Sequence, residues 1–128
     1  MKRNPAEIRF LYAASEASAD IYYFTGVFVP DAFLAFEFAG KRYAVVSRLE
    51  YSRVLAQSKL DTVYLLETAK EEAAKLLDLQ PQAVGPAELM RYYMRQFGAE
   101  SVRVPADFPA VFYSQALIAG LPISVETQ

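Results

Sequence analysis

The sequence predicts an α/β fold, a mixed sheet that opens with an antiparallel hairpin and carries helices on both faces. Three observations lead there. A short helical run, a loop and two strand-like runs follow one another between Ser18 and Ser47. Beyond them, short β-branched or apolar runs alternate with amphipathic ones as far as Val125. Finally, 128 residues suffice for a single domain, with a radius of gyration of roughly 14 Å and about two thirds of the unfolded surface buried.

Ile8–Ala14 is apolar-rich between Pro5 and Ser15, which suits a buried first strand and one without an acidic residue. Ser18–Gly26 reads as a helix of one or two turns. Ser15 or Ser18 is its N-cap, Asp20 lies near the positive end of its dipole, and Gly26 is placed for a left-handed C′ residue. Phe33–Phe38 then sets Leu34, Phe36 and Phe38 against Ala35 and Glu37, the alternation of a strand with two unlike faces. Ala39–Arg42 is expected to turn the chain and Tyr43–Val46 to return it.

Ser47 and Glu50 have the spacing of a capping box, opening a helix from Arg48 to about Ser58 with Leu49, Val54 and Leu55 inward. Thr62–Leu66 is a fourth strand. Thr68 and Glu71 repeat the capping-box spacing, with Ala69, Ala73, Leu76 and Leu77 on one face until Pro81 prevents continuation. Lys70, Glu71, Glu72 and Lys75 form its solvated face. Pro86 suits the first position of the next helix, in which Leu89, Met90, Tyr93 and Phe97 make a stripe that ends before Gly98. Ser101–Val104 is a short strand, Asp107 can cap a last helix running to about Ala119, and Ile123–Val125 closes the sheet. There is no internal repeat, low-complexity segment or interior linker.

Composition excludes several functions. The net charge of −2, with both signs interspersed, leaves no electrostatic footprint for nucleic acid or an anionic membrane. No apolar run approaches the roughly 18 residues of a membrane span, and no apolar segment follows Lys2 and Arg3, so the chain is expected to be soluble, unexported and cytoplasmic. Cysteine is absent, which removes disulfides and thiolate chemistry. Histidine is absent too, and with it imidazole acid–base pairs, histidine-ligated zinc and Ser-His nucleophiles.

The remaining candidates are few. Glu37 is a carboxylate in the middle of a strand; it is either a buried acid with a raised pKa or a group on a partly solvated or helix-covered face, and the second reading fits its alanine neighbours better. Asp20, Asp31, Asp61, Asp78 and Asp107 fall at helix ends, turns and loops, where capping explains them and where they do not converge as a two-metal nuclease requires. Gly26, Gly40, Gly85, Gly98 and Gly120 are isolated and form no phosphate-binding loop. Nine Tyr and nine Phe in a chain that is 54% hydrophobic either fill the core or leave an aromatic patch for a partner. The adjacent pairs Tyr22-Tyr23 and Tyr92-Tyr93 should each turn one ring away from the packing of its neighbour.

The order Ala19-Asp20-Ile21-Tyr22-Tyr23-Phe24-Thr25-Gly26, a strand, the turn Gly40-Lys41, Tyr43-Ala44-Val45-Val46-Ser47 and a helix with Glu50-Tyr51-Ser52-Arg53 resembles the N-terminal domain of the creatinase, prolidase and Xaa-Pro aminopeptidase family. The resemblance runs from about Ile8 to Val125. It implies a ribonuclease-H-like α/β/α sandwich, a topology that periodicity alone does not select. It also implies that chemistry belongs elsewhere. In these hydrolases a separate C-terminal pita-bread domain cleaves bonds beside proline, or related C–N bonds, and in the metallopeptidases it does so with two metal ions held by two Asp, one His and two Glu. The N-terminal domain packs over that site, often across a dimer, and narrows access to it.

On this resemblance, residues 1–128 are one such domain without its catalytic domain, inactive alone, with no catalytic, cofactor-binding or metal-ligating residue of its own. Its partners are the catalytic domain of the same polypeptide, which carries two divalent metal ions, and a second subunit at an oligomer interface. Creatinase shows that the architecture also serves metal-independent chemistry. The alternative is a free-standing α/β module for protein interaction or small-ligand binding.

Overall fold

The computed structural model describes residues 6–14 and 18–127; Pro5 and the alternative cap Ser15 lie outside them. In chain order the elements are β1 (Glu7–Ala13), α1 (Ala19–Thr25), β2 (Phe33–Phe38), β3 (Lys41–Val46), α2 (Arg48–Gln57), β4 (Thr62–Leu65), α3 (Leu66–Leu77), a 3₁₀ turn (Pro81–Ala83), α4 (Pro86–Phe97), β5 (Ser101–Val104), α5 (Ala110–Ile118) and β6 (Ile123–Val125). They form one six-stranded sheet in the order β4-β3-β2-β1-β5-β6. β2 pairs antiparallel with both β1 and β3, whereas β4, β5 and β6 each join in parallel. The mixed sheet with an early hairpin is therefore present, and so is the three-layer arrangement.

Strand alternation sorts the core into two clusters. Ile8, Phe10, Leu34, Phe36, Val45, Val102 and Val104 face α3, α4 and α5. Leu11, Phe33, Ala35, Ala44 and Val46 face α1 and α2, meeting Ile21, Phe24 and Val54. Phe36 is the hub of the first cluster, with its ring centroid 4.8 Å from Tyr43, 4.7 Å from Tyr93 and 5.4 Å from both Phe10 and Phe97. On the α1 and α2 face the sheet ends in charge: Arg9 bonds Glu126, and Arg103 bonds Glu7 at 3.0 Å.

Several local expectations are corrected. β1 begins at Glu7 and so does contain an acid, one held by Arg103. The hairpin turn is only Ala39-Gly40, both with positive φ (53° and 81°), so Lys41 and Arg42 belong to β3. A two-residue turn with both φ positive matches the right-handed twist of its strands, and Ala39 accepts an unfavourable φ to make it.

Neither capping box forms. At Ser47 no side-chain cap bond exists; instead Glu67 Oε1, from the first turn of α3, accepts from the Arg48 amide at 3.1 Å, and Glu50 bonds Arg53. α3 starts at Leu66, before Thr68, and it ends at Asp78 in left-handed conformation, before Pro81. Its buried face is Ala69, Ala73 and Ala74, with Leu76 exposed and Leu77 intermediate. α2 buries Val54 alone among its three expected residues, leaving Leu49 83% and Leu55 55% exposed. α5 is capped by Pro109, whereas Asp107 is exposed in the preceding turn.

Other signals are met. Ser18 Oγ accepts from the Ile21 amide at 3.3 Å, and Gly26 adopts φ 75°. Pro86 opens α4, Glu88 Oε1 accepts from the Gly85 amide at 2.8 Å, and Gly98 ends the helix with φ 68°.

Candidate functional site

A cleft of about 380 Å³ opens at the end of the sheet where β1 and β3 finish and β2 begins. Helices α2 and α3 follow the carboxyl ends of β3 and β4, so their first turns gather there; crevices at that end of an α/β sheet commonly hold ligands. Leu34, Val45, Leu66 and Leu89 supply aliphatic wall. Tyr12, Asp31, Ser47, Glu50 and Lys70 supply polar groups. Burial pushes the Tyr12 phenol above its ordinary pKa, so it remains a neutral hydrogen-bond donor.

Among the described residues the Tyr12 and Ser47 hydroxyls and the Lys70 ammonium have no hydrogen-bond or ion-pair partner. Lys70 is partly buried, unlike the exposed Glu71, Glu72 and Lys75 with which its position on the helix groups it. Sequence reasoning missed this site. Ser47 and Glu50 looked like a capping pair and Lys70 like solvated surface; the one available signal was a serine three residues before a glutamate, which has an ordinary structural meaning.

The acids expected to be structural are dispersed. Glu37 is partly buried on β2, in register with Arg9 on one side and Arg42 on the other, which is a charged sheet surface and not an apolar pocket. Its negative charge helps hold the Arg9 guanidinium protonated, behind the larger effect of the Glu126 hydrogen bond. Asp61 binds the Arg42 backbone, Asp78 ends α3, and Asp20 and Asp107 are exposed. Asp31 alone of the five borders the cleft. Among the described residues no three acidic, histidine or cysteine side chains come together as metal ligands.

The Tyr-Phe-Thr-Gly turn is explained by packing. Thr25 is fully buried, its hydroxyl bonding the Val27 carbonyl at 3.2 Å and accepting from the Val27 amide at 3.3 Å. The Phe24 carbonyl accepts from the Arg42 guanidinium at 3.2 Å, and the Thr25 carbonyl from the Lys59 amide at 2.8 Å. Gly26 lies under Lys59, whose Cε would stand 2.7 Å from an added Cβ.

Of the nine tyrosines and nine phenylalanines, Tyr22, Tyr23 and Phe28 are the exposed ones, all on α1 and the loop after it. Tyr22 stacks on Phe28 with centroids 4.3 Å apart, and Lys59 Nζ lies 5.1 Å from the Tyr23 ring centre. The other rings are buried or half-buried, so most aromatics fill the core, and of the exposed remainder Tyr22 and Phe28 lie together. The expectation that each adjacent pair splits is corrected: Tyr22 and Tyr23 are both exposed, and Tyr92 and Tyr93 are both buried, set edge to face with Tyr92 Oη donating to Glu72. No helix among the described residues is long and apolar enough to cross a membrane.

Compared with protein-family models and with curated proteins, the chain matches none. Solved structures do match. The aminopeptidase P (Xaa-Pro aminopeptidase) structure from Streptococcus thermophilus superposes with a TM-score of 0.62 at 10% identity, over 94% of this chain and 78% of that one. Prolidase from Pyrococcus furiosus gives 0.58 at 12% identity over 93% of this chain but only 28% of that one. A proline dipeptidase from Streptococcus agalactiae gives 0.56 at 16% identity, over 95% of this chain and 81% of that one. At these identities the likeness is one of fold. The chain is an α/β/α domain of the architecture found in Xaa-Pro aminopeptidase and prolidase structures, as the sequence resemblance implied.

Proposed function

We propose that this chain is a non-catalytic N-terminal domain of an Xaa-Pro aminopeptidase or prolidase-like metallopeptidase, covering the active site of a separate catalytic domain and contributing to subunit contacts in a cytoplasmic homodimer. The observation that carries this reading is that the same fold makes up 28% of a prolidase chain, which leaves most of that enzyme outside it. The absence of histidine from the sequence adds support, because the family's metal set needs one. Two divalent ions would then be held by the catalytic domain, and no residue of this chain is assigned to them. The exposed Tyr22, Tyr23 and Phe28 offer apolar surface to that domain or to a second subunit.

The test is sequencing of the reading frame past Gln128, followed by assay of Xaa-Pro dipeptide hydrolysis with Mn²⁺, Co²⁺ or Zn²⁺. We expect the frame to continue into a segment supplying two Asp, one His and two Glu, and the extended protein alone to turn over substrate. A stop codon at that point, or metal-dependent turnover by the 128-residue chain free of contaminating peptidase, overturns the reading. A stop codon would favour the second reading, a free-standing small-ligand module, which the cleft beside Tyr12 and Lys70 specifically supports.

A further inference from the structure

The cleft combines three properties of a small-molecule site. Its volume of about 380 Å³ falls in the range of small-molecule sites, about 300–1,000 Å³. Its aliphatic wall comes from β2, β3, the start of α3 and α4, so it is backed by rigid elements on several sides. Its polar groups carry both signs of charge without pairing each other: Lys70 has no ion pair among the described residues, Glu50 is engaged by Arg53, and Asp31 is exposed at the edge.

Charges of opposite sign that face one cavity and do not neutralise each other suit a ligand that carries both. A carboxylate is drawn to the Lys70 ammonium and can accept from the Ser47 hydroxyl, which no cap bond occupies. An ammonium is drawn to Asp31, whose charge no described cation pairs, and a branched side chain fills the space beside Leu34, Leu66 and Leu89. The neutral Tyr12 hydroxyl adds a donor that no described residue uses.

We infer that the cleft between β1, β3, α3 and α4 binds a free aliphatic amino acid, with its carboxylate toward Lys70 and Ser47, its ammonium toward Asp31 at the edge, and its side chain among Leu34, Leu66 and Leu89. This goes beyond the covering role and rests on the cleft alone. A failed titration leaves the peptidase reading standing, and a stop codon after Gln128 leaves the titration unaffected.

The experiment is an amide-resolved NMR titration of the 128-residue chain with L-leucine, glycine, N-acetyl-L-leucine and L-leucinamide. L-Leucine should give saturable shifts centred on Ser47, Leu66, Lys70 and Gly85. Removing the ligand's ammonium (N-acetyl-L-leucine), its carboxylate charge (L-leucinamide) or its side chain (glycine) should weaken binding about tenfold or more each, the loss expected for one charge-assisted bond or one buried aliphatic group. In Lys70→Met the preference for L-leucine over L-leucinamide should vanish. Because the four-compound series is run on the unaltered chain, the outcome does not depend on how a variant folds. Absence of shifts at the cleft, binding of any of the three analogues as tight as that of L-leucine, or an unchanged preference in a folded Lys70→Met chain would each overturn the assignment.

Discussion

Arg42 and Asp61 hold each other through the main chain, the Asp61 carboxylate accepting from the Arg42 amide at 2.8 Å and the Asp61 amide donating to the Arg42 carbonyl at 2.8 Å. The Arg42 side chain continues the connection to α1, bonding the Phe24 carbonyl at 3.2 Å with its guanidinium carbon 4.9 Å from the Phe24 ring centre. One arginine thus ties the hairpin to the first helix and to the loop that leads into β4. Asp61→Ala should lower stability by about 1 kcal/mol, a value at the low end for a charged acceptor because the bond is exposed. Asp61→Asn keeps an acceptor and should lose less. Urea denaturation of both variants checks the ordering, and equal losses would show that charge and not the bond matters.

Gly26 meets two constraints at once, a left-handed φ of 75° and the Lys59 side chain directly over it. Gly26→Ala should cost roughly 1–2 kcal/mol for the backbone conformation, and Lys59 must also shift to admit the methyl group. Gly26→Ala combined with Lys59→Ala should recover only the crowding part. Thermal unfolding of the single and double variants separates the two contributions.

Phe36 is completely buried and touches rings from β1, β3 and α4. Phe36→Ala should cost about 3–5 kcal/mol, since the surrounding rings cannot all collapse into the space. Phe36→Leu should cost much less. Equilibrium unfolding in urea measures both, and a loss below about 1 kcal/mol for alanine would mean that the cluster repacks freely.

Alkali should destabilise the fold through its buried phenols. Burial holds Tyr93 far above its ordinary pKa, and it raises Tyr12, Tyr43, Tyr64 and Tyr92 as well. Raised folded-state values mean that the neutral form is favoured by folding. This contribution is therefore complete below the unfolded phenol pKa of about 10 and is lost progressively as pH climbs above it toward the folded-state values. Each such phenol adds a slope of up to about 1.4 kcal/mol per pH unit. Tyr93→Phe should show a shallower fall between pH 10 and 11 than the unaltered chain, read from urea midpoints at each pH.

Leu49 illustrates where periodicity misleads. Three apolar residues, Leu49, Val54 and Leu55, suggest a buried stripe, but of these only Val54 enters the core, where Tyr51 packs beside it. Leu49→Gln should change stability by less than about 0.5 kcal/mol, as for ordinary surface sites. A greater loss in urea denaturation would place Leu49 in packing that its exposure denies.

The legible parts of the fold were those fixed by local chemistry. Ser18, Gly26, Pro86 and Gly98 each have a conformational reason to stand at a helix end, and each does. Leu34, Phe36 and Ala35 alternate because a sheet covered on both sides buries both sets. What was not legible depended on distant partners or on a compromise. Ala39 gives no sign that it will accept a positive φ, and Ser47 gives none that its hydroxyl will leave the helix uncapped while a glutamate 20 residues later bonds the first helical amide. The cleft was hidden for the same reason: Tyr12, Asp31, Ser47 and Lys70 belong to different segments, and only the folded sheet brings them to one opening.

That borrowed cap has a consequence for motion. A helix whose first turn is capped by its own serine can fray independently, but the Arg48 amide is held by Glu67 of α3 at 3.1 Å. This bond is exposed, so solvent deuterium reaches the Arg48 amide whenever the Glu67 carboxylate lets go of it. Its exchange rate therefore reports how often the Glu67 carboxylate releases the first turn of α2, and a single amide becomes a gauge of the tie between segments 20 residues apart.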